Sequence, residues 1–278
     1  MRGKIIKGMD FEQYKRLDAV NASFIKQFAK CPASALLSME PTRNMIIGQA
    51  VHALALEGEK AFLDQFVTAP KCDRRTTAGK SQWAEFEAAN TDKVLLSQDE
   101  LAQVQGCAKS LKAHPLAGRM LAETEGRPEV TLTWTDEATG LPMKARLDRL
   151  PLPDKRTIID LKTTTDASLK AFTRQIVKLS YDLQAAVYMN GAAACGIDVD
   201  AFVFIAVQNC EPFTVSVLSL DTDWIHWAAN EVDRQLALIK ECKARSVWPA
   251  FEIPQHIYSL DQLTTHDLLE VLEMPKYR

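Results

Sequence analysis

The stretch Thr157-Ile-Ile-Asp-Leu-Lys-Thr-Thr164 constrains this chain most, because it places an acid and a lysine directly after two large β-branched residues. Ile158 and Ile159 read as a strand that seeks burial, and an unpaired charge at the end of a buried run is costly. Upstream, Met143 to Leu150 alternates loosely as another strand, and Pro151 to Arg156 is rich in turn residues, so the two read as a hairpin. Asp160 and Lys162 lie two residues apart and leave one face of their strand. Asp148, in Arg146-Leu-Asp-Arg-Leu150, lies on the facing strand and can point to the same side. Two readings fit. The acids can be strand-end residues paired with Arg146, Arg149 or Lys162. Alternatively, close carboxylates repel each other and share a divalent cation, for which a hard ion with oxygen ligands, Mg²⁺ or Mn²⁺, fits best.

The surrounding pattern predicts the scaffold. Glu129-Val-Thr-Leu-Thr-Trp134 alternates and runs into the turn Asp136 to Gly140, so strands 129–135, 142–150 and 156–162 form an antiparallel meander. Ala201 to Val207 is a nearly continuous β-branched and aromatic run, the mark of a strand buried on both faces, and Phe213 to Leu220 supplies another. Helical spacing covers parts of Phe11–Lys30, stopped by Cys31-Pro32, and Arg43–Glu59, bounded by Gly58. It recurs in Ser81–Asn90, in Ser97–Leu121 with a Ser97/Glu100 capping box and a break at His114-Pro115, and after Ser180. Thr222 to Ala244 reads as a long amphipathic helix, and Leu260 to Leu272 as a short one in the tail. The expected architecture is one α/β domain over residues 1–278, a mixed central sheet of about five strands in chain order with helices on both sides. Residues 1–125 are mainly helical, 126–250 form the core and 251–278 a tail.

Other candidates each admit a plain reading and a chemical one. His52 sits on a mostly apolar helix, as a core histidine or as a metal ligand. Pro70 to Lys80 is a basic loop, in which Lys71, Arg74, Arg75 and Lys80 face solvent or hold a nucleic-acid backbone. Lys170, Arg174 and Lys178 recur every four residues on one helical face, either solvated or lining a phosphate track. Gln184 and Tyr188 share a stripe of an otherwise apolar helix, where polar groups need partners.

An acid, a hairpin and then Asp160-Leu-Lys162, followed by Gln184-x-x-x-Tyr188, resembles the PD-(D/E)xK nuclease superfamily in its RecB-like and RecE-like branch. The similarity is to RecE-type (exonuclease VIII-like) enzymes and spans about residues 21 to 250. It implies a restriction-endonuclease-like core in which His52, Asp148, Asp160 and the Leu161 carbonyl hold Mg²⁺ or Mn²⁺. The helix Gly48-x-x-x-His52-x-x-x-x-Glu57 resembles the one that carries the family's histidine ligand. The resemblance further implies that Lys162 positions or deprotonates the attacking water or stabilises the phosphate, and that Glu129 orients a ligand or water. Gln184 and Tyr188 would contact the substrate phosphate or nearby groups. Asn21 to Lys26 with Lys30-Cys-Pro32 is similar to the family's opening segment beside the DNA entrance, making Lys26, Lys30 and Arg43 candidate phosphate contacts. The implied activity is 5′-to-3′ resection of linear duplex DNA, by a ring-forming homo-oligomer that leaves 3′ overhangs for a RecT-like single-strand annealing protein in phage-type recombination. A RecB-like or Cas4-like nuclease of other polarity or endonucleolytic habit shares the metal residues, and a non-catalytic DNA-binding protein on a degenerate fold is the reading from a different class.

Composition sets limits on this reading. A net charge of −3 over 278 residues gives no overall basic surface, so phosphate contacts would come from local clusters. Six cysteines without a C-x-x-C pair suggest neither a zinc ribbon nor a disulfide framework, and argue against the iron–sulfur relatives of the superfamily. With no signal-like apolar segment or membrane-spanning run, the expected setting is a reducing cytoplasm.

Overall fold

The computed structural model describes residues 3–38, 40–122, 128–149 and 156–250. The chain opens with a short strand, β1 (Lys4–Ile6), and α1 (Phe11–Arg16), which is N-capped by Asp10. Asn21 caps α2 (Ala22–Lys30), and Cys31-Pro32 ends it in a 3₁₀ turn. Thr42 caps α3 (Arg43–His52), which continues as a π-helical turn to Glu57 and stops at Gly58, whose φ of 97° suits glycine alone. Then come α4 (Glu59–Gln65), β2 (Phe66–Thr68), α5 (Thr77–Ala89) and β3 (Val94–Leu96). Ser97 and Glu100 form the expected capping box on α6 (Gln98–Ala113), and α7 (Pro115–Ala122) restarts after His114. The core follows as β4 (Pro128–Thr135), β5 (Pro142–Arg149), β6 (Thr157–Thr164), α8 (Leu169–Lys178) and α9 (Tyr181–Ala194). It ends with β7 (Ala201–Gln208), β8 (Val215–Ser219) and α10 (Thr222–Arg245).

The main sheet has the order β1-β4-β5-β6-β7-β8, antiparallel except for the parallel pair β6 and β7 that the α8–α9 crossover makes possible. The five expected strands are present in chain order within an α/β sheet flanked by helices. Two corrections apply. The sheet has a sixth strand, β1, on its edge, and β2 and β3 pair in parallel apart from it. Each of these strands has three residues, too few for an alternation to be visible. The basic loop is also shorter than expected, because the Thr76 hydroxyl accepts from the Gly79 amide and starts α5 at Thr77. The tail 251–278, with its expected helix, lies outside the described residues.

Both faces of the sheet are covered. On β7, Val203, Ile205 and Val207 pack with α3 and α6, while Phe202, Phe204 and Ala206 pack with α8 and α9, so successive residues serve opposite cores. Each of these side chains larger than alanine contributes roughly 1.5–3 kcal/mol through burial. The α2–α9–α10 layer forms a third cluster. The N-terminal segment is tied to the sheet by Lys144, whose buried ammonium donates to the carbonyls of Tyr14, Lys15 and Leu17 at 2.8–3.2 Å and satisfies the end of α1. No helix among the described residues is long and apolar enough to cross a membrane.

Candidate metal centre

The geometry begins where β5 and β6 part. Among the described residues they pair once, Arg149 opposite Ile159. Continued, that register would set Asp148 opposite Asp160. Instead, the Asp148 carboxylate takes the place of a backbone partner, and its Oδ2 accepts from the Leu161 amide at 2.7 Å. On its other edge, β5 pairs with β4 through Pro128–Arg149 and Val130–Leu147, a register that puts Glu129 opposite Asp148. Like charges so placed repel unless something positive lies between them. Glu129 also has a φ of 59°, a left-handed conformation uncommon for a side chain of this size. Backbone strain of this kind persists only where the surroundings impose it. Its carboxylate ion-pairs with Arg146, whose Nη1 in turn donates to the Met9 carbonyl at 2.8 Å.

His52 reaches this point from the last turn of α3. Its Nε2 lies 2.8 Å from the Leu161 carbonyl, and its Nδ1 lies 3.6 Å from Asp148 Oδ1. Only a donor satisfies a carbonyl, so Nε2 carries hydrogen, and in the neutral ring Nδ1 presents a lone pair to a carboxylate oxygen. Two acceptors that face each other call for a proton or a cation. Ligand atoms of His52, Glu129 and Asp148 all lie within 4.8 Å of one another, so this donor set fits a divalent ion. The Leu161 carbonyl, expected among the ligands, orients the histidine ring from behind, a common partner for a metal-binding imidazole.

Asp160 belongs to an adjoining arrangement. It is almost fully buried, ion-pairs with Lys162 and accepts from Gln184 Nε2 at 2.7 Å. Burial pushes the Asp148 carboxyl up to about 7, against the lowering influence of His52 and with help from Asp160 and Glu129. Burial alone would lower the Lys162 ammonium, but Asp160 and Asp148 outweigh it and hold the group above the usual lysine range. Burial likewise raises the Tyr188 phenol, reinforced by the carboxylates of Asp160, Asp148 and Glu129. Tyr188 therefore stays a neutral hydroxyl behind the acids.

These groups meet a cleft of about 1370 Å³ lined by His52, Glu129, Leu161 and Lys162. Arg174 and Lys178 of α8 line it as well, and residues 8–12 form a further lip. The remaining basic candidates lie elsewhere. Arg43 is engaged by Glu100 and the Leu95 carbonyl, Arg74 stacks on the Trp83 ring at 4.0 Å, and Arg75 pairs with Asp73. Lys30 is exposed outside the cleft lining. Lys26 lies behind the site, its ammonium 3.4 Å from Gln184 Oε1.

Sequence reading gave no site role to three residues near the acids, although it named Arg146 as an ion-pair partner of the acids and Glu57 in the His52 helix pattern. Arg146 and Tyr181, neighbours of the chosen Asp148 and Gln184, could have been found from their positions two and three residues upstream. Glu57 also lines the cleft, and burial followed by the nearby Glu129 raises its carboxyl. Its place at the end of the His52 helix was the available signal.

Comparisons with known proteins bear on the family and the fold. Residues 21–252 match the family described as a PDDEXK-like domain of unknown function (DUF3799). A solved structure from Eubacterium rectale, provisionally described as an exonuclease, superposes with a TM-score of 0.59 at 13% identity, over 94% of this chain and 98% of its own. At that identity, the likeness concerns the fold. No curated protein matches the sequence.

Proposed function

The chain belongs to the PDDEXK-like family, a branch of the PD-(D/E)xK nuclease superfamily, and from that premise we propose that it is a divalent-cation-dependent deoxyribonuclease. The observation that carries the reading is the convergence of His52, Glu129 and Asp148 beside the Asp160–Lys162 pair at one cleft. His52, Glu129 and Asp148 would hold Mg²⁺ or Mn²⁺, with Asp160 adjoining. When bound, such an ion acidifies water and neutralises charge on phosphate oxygens.

The chain's own residues do the rest. Asp160 keeps Lys162 protonated and aims its ammonium, which favours stabilisation of the pentacovalent phosphate over proton abstraction. Gln184 fixes Asp160 by hydrogen bonding, and Tyr188 keeps a neutral hydroxyl behind the acids. Arg174 and Lys178, on the cleft wall, are suited to the backbone of an incoming strand.

The finer reading is a RecE-like exonuclease that enters at duplex ends, digests 5′ to 3′ and leaves 3′ overhangs for a RecT-like annealing protein, as a ring of identical subunits. It rests on the motif order in the sequence. The test is digestion of linear duplex labelled separately at its 5′ and 3′ ends, with Mg²⁺ or EDTA, beside a closed circle. Early, Mg²⁺-dependent release of the 5′ label from linear DNA alone is expected. Release of the 3′ label first, or nicking of the circle, would replace it with a RecB-like or Cas4-like activity. DNA binding without cleavage would leave a degenerate nuclease fold.

A further inference from the structure

Lys26 was a candidate for phosphate contact, yet it is not among the residues that line the cleft. Its side chain is half-buried, and its ammonium lies 3.4 Å from Gln184 Oε1 and 5.2 Å from the centre of the Tyr181 ring. Lys162 lies over that ring too, at 4.9 Å, so one aromatic ring of the cleft wall is shared by two ammonium groups. Gln184 joins the two layers, because its oxygen takes Lys26 while its nitrogen donates to Asp160.

A glutamine amide can turn over and exchange its oxygen and nitrogen. Turned the wrong way, Gln184 would present an oxygen to the buried Asp160 carboxylate, acceptor against acceptor. A cation on the far side of the amide forbids that orientation, since an ammonium has donors only. Burial, with Lys162 nearby, lowers the Lys26 ammonium to about 8, which agrees with its position behind the cleft surface.

On the nuclease reading of this site, we propose that Lys26 is a positioning residue, which holds Gln184 in the orientation that donates to Asp160 and thereby aims Lys162. The chain Lys26–Gln184–Asp160–Lys162 links α2 to the reacting end of β6. A phosphate contact would act on affinity; a positioning residue acts on turnover.

The test compares wild type with Lys26→Met and Lys26→Arg in steady-state cleavage of linear duplex and in DNA binding at several salt concentrations with EDTA. Expected for Lys26→Met is a fall in kcat of about 10-fold or more, with DNA affinity and its salt slope unchanged, and Lys26→Arg recovers most of the loss. A second reading uses the Gln184 side-chain amide resonances, which should move in Lys26→Met and return in Lys26→Arg. Unchanged kcat with weaker binding and a salt slope lower by about 1 would overturn the proposal in favour of phosphate contact. Unmoved amide resonances would overturn it as well. Wild-type protein that cleaves no DNA would remove the nuclease reading, while the amide resonances would still decide the role of Lys26.

Discussion

Asp148→Asn should make the cation-free protein more stable at alkaline pH, although it removes a central residue of the site. Asp148 has an ordinary carboxylate value of 3.8 when unfolded and about 7 in the fold, chiefly through burial. Between those values the folded chain holds a proton that the unfolded chain has released, so stability falls as pH rises from about 4 to about 7. At about 1.4 kcal/mol per pH unit, the ionised group costs the fold on the order of 4 kcal/mol above pH 7. Asparagine carries no charge and its oxygen can still accept from the Leu161 amide, the one short bond Asp148 makes there. For a chain of this size each kcal/mol moves the melting temperature by roughly 2–4 °C. In EDTA at pH 8, Asp148→Asn should therefore melt roughly 8–16 °C above wild type, and the gap should close near pH 4. Saturating Mn²⁺ should raise wild type, by about 2.7 kcal/mol at a hundredfold excess over Kd, and leave the variant in place. Thermal unfolding across pH, with and without the ion, reads all of this. A variant less stable than wild type at pH 8 in EDTA would mean that Asp148 is a structural partner of Leu161, and the reasoning would fail.

Asp160→Asn and Lys162→Met should each lower kcat by roughly 10²–10³-fold while DNA affinity holds, as measured by single-turnover cleavage and equilibrium binding. His52→Ala should raise the cation concentration needed for half-maximal activity by roughly 10- to 100-fold, and an unchanged titration would return His52 to a core role. Lys178→Met should reduce the salt slope of DNA binding by about 0.9, with little effect on turnover. Ser97→Ala, which removes one half of the capping box on α6, should cost about 1 kcal/mol in denaturant unfolding and leave cleavage alone.

Much of the fold was legible because long elements carry their own periodicity. The β7 run from Ala201 to Val207 shows β-branched and aromatic residues without interruption, and burial on both faces is what such a run requires. The capping box at Ser97 and the stop at Gly58 are equally local signals. β1, β2 and β3 were not legible, since three residues present no pattern and pairing with distant partners alone makes them strands. In the site, the sequence pointed to His52, Glu129, Asp148, Asp160, Lys162 and Gln184, partly as polar groups in apolar stretches and partly through the motif order of the family it resembles. It did not divide them. Only the parting of β5 from β6, and the left-handed backbone at Glu129, turn Glu129 and Asp148 toward His52 and leave Asp160 with Lys162 and Gln184. The basic residues were the least legible, because spacing along a helix shows a shared face but not what that face meets. Arg174 and Lys178 line the cleft, while Arg43 is held by Glu100.

The most direct test of the account is anomalous X-ray diffraction from crystals of this protein soaked in Mn²⁺. A peak within coordination distance of His52, Glu129 and Asp148, lost in Asp148→Asn, is the predicted result. Mn²⁺ bound elsewhere, or a protein that cleaves DNA with no ion at these three residues, would contradict it.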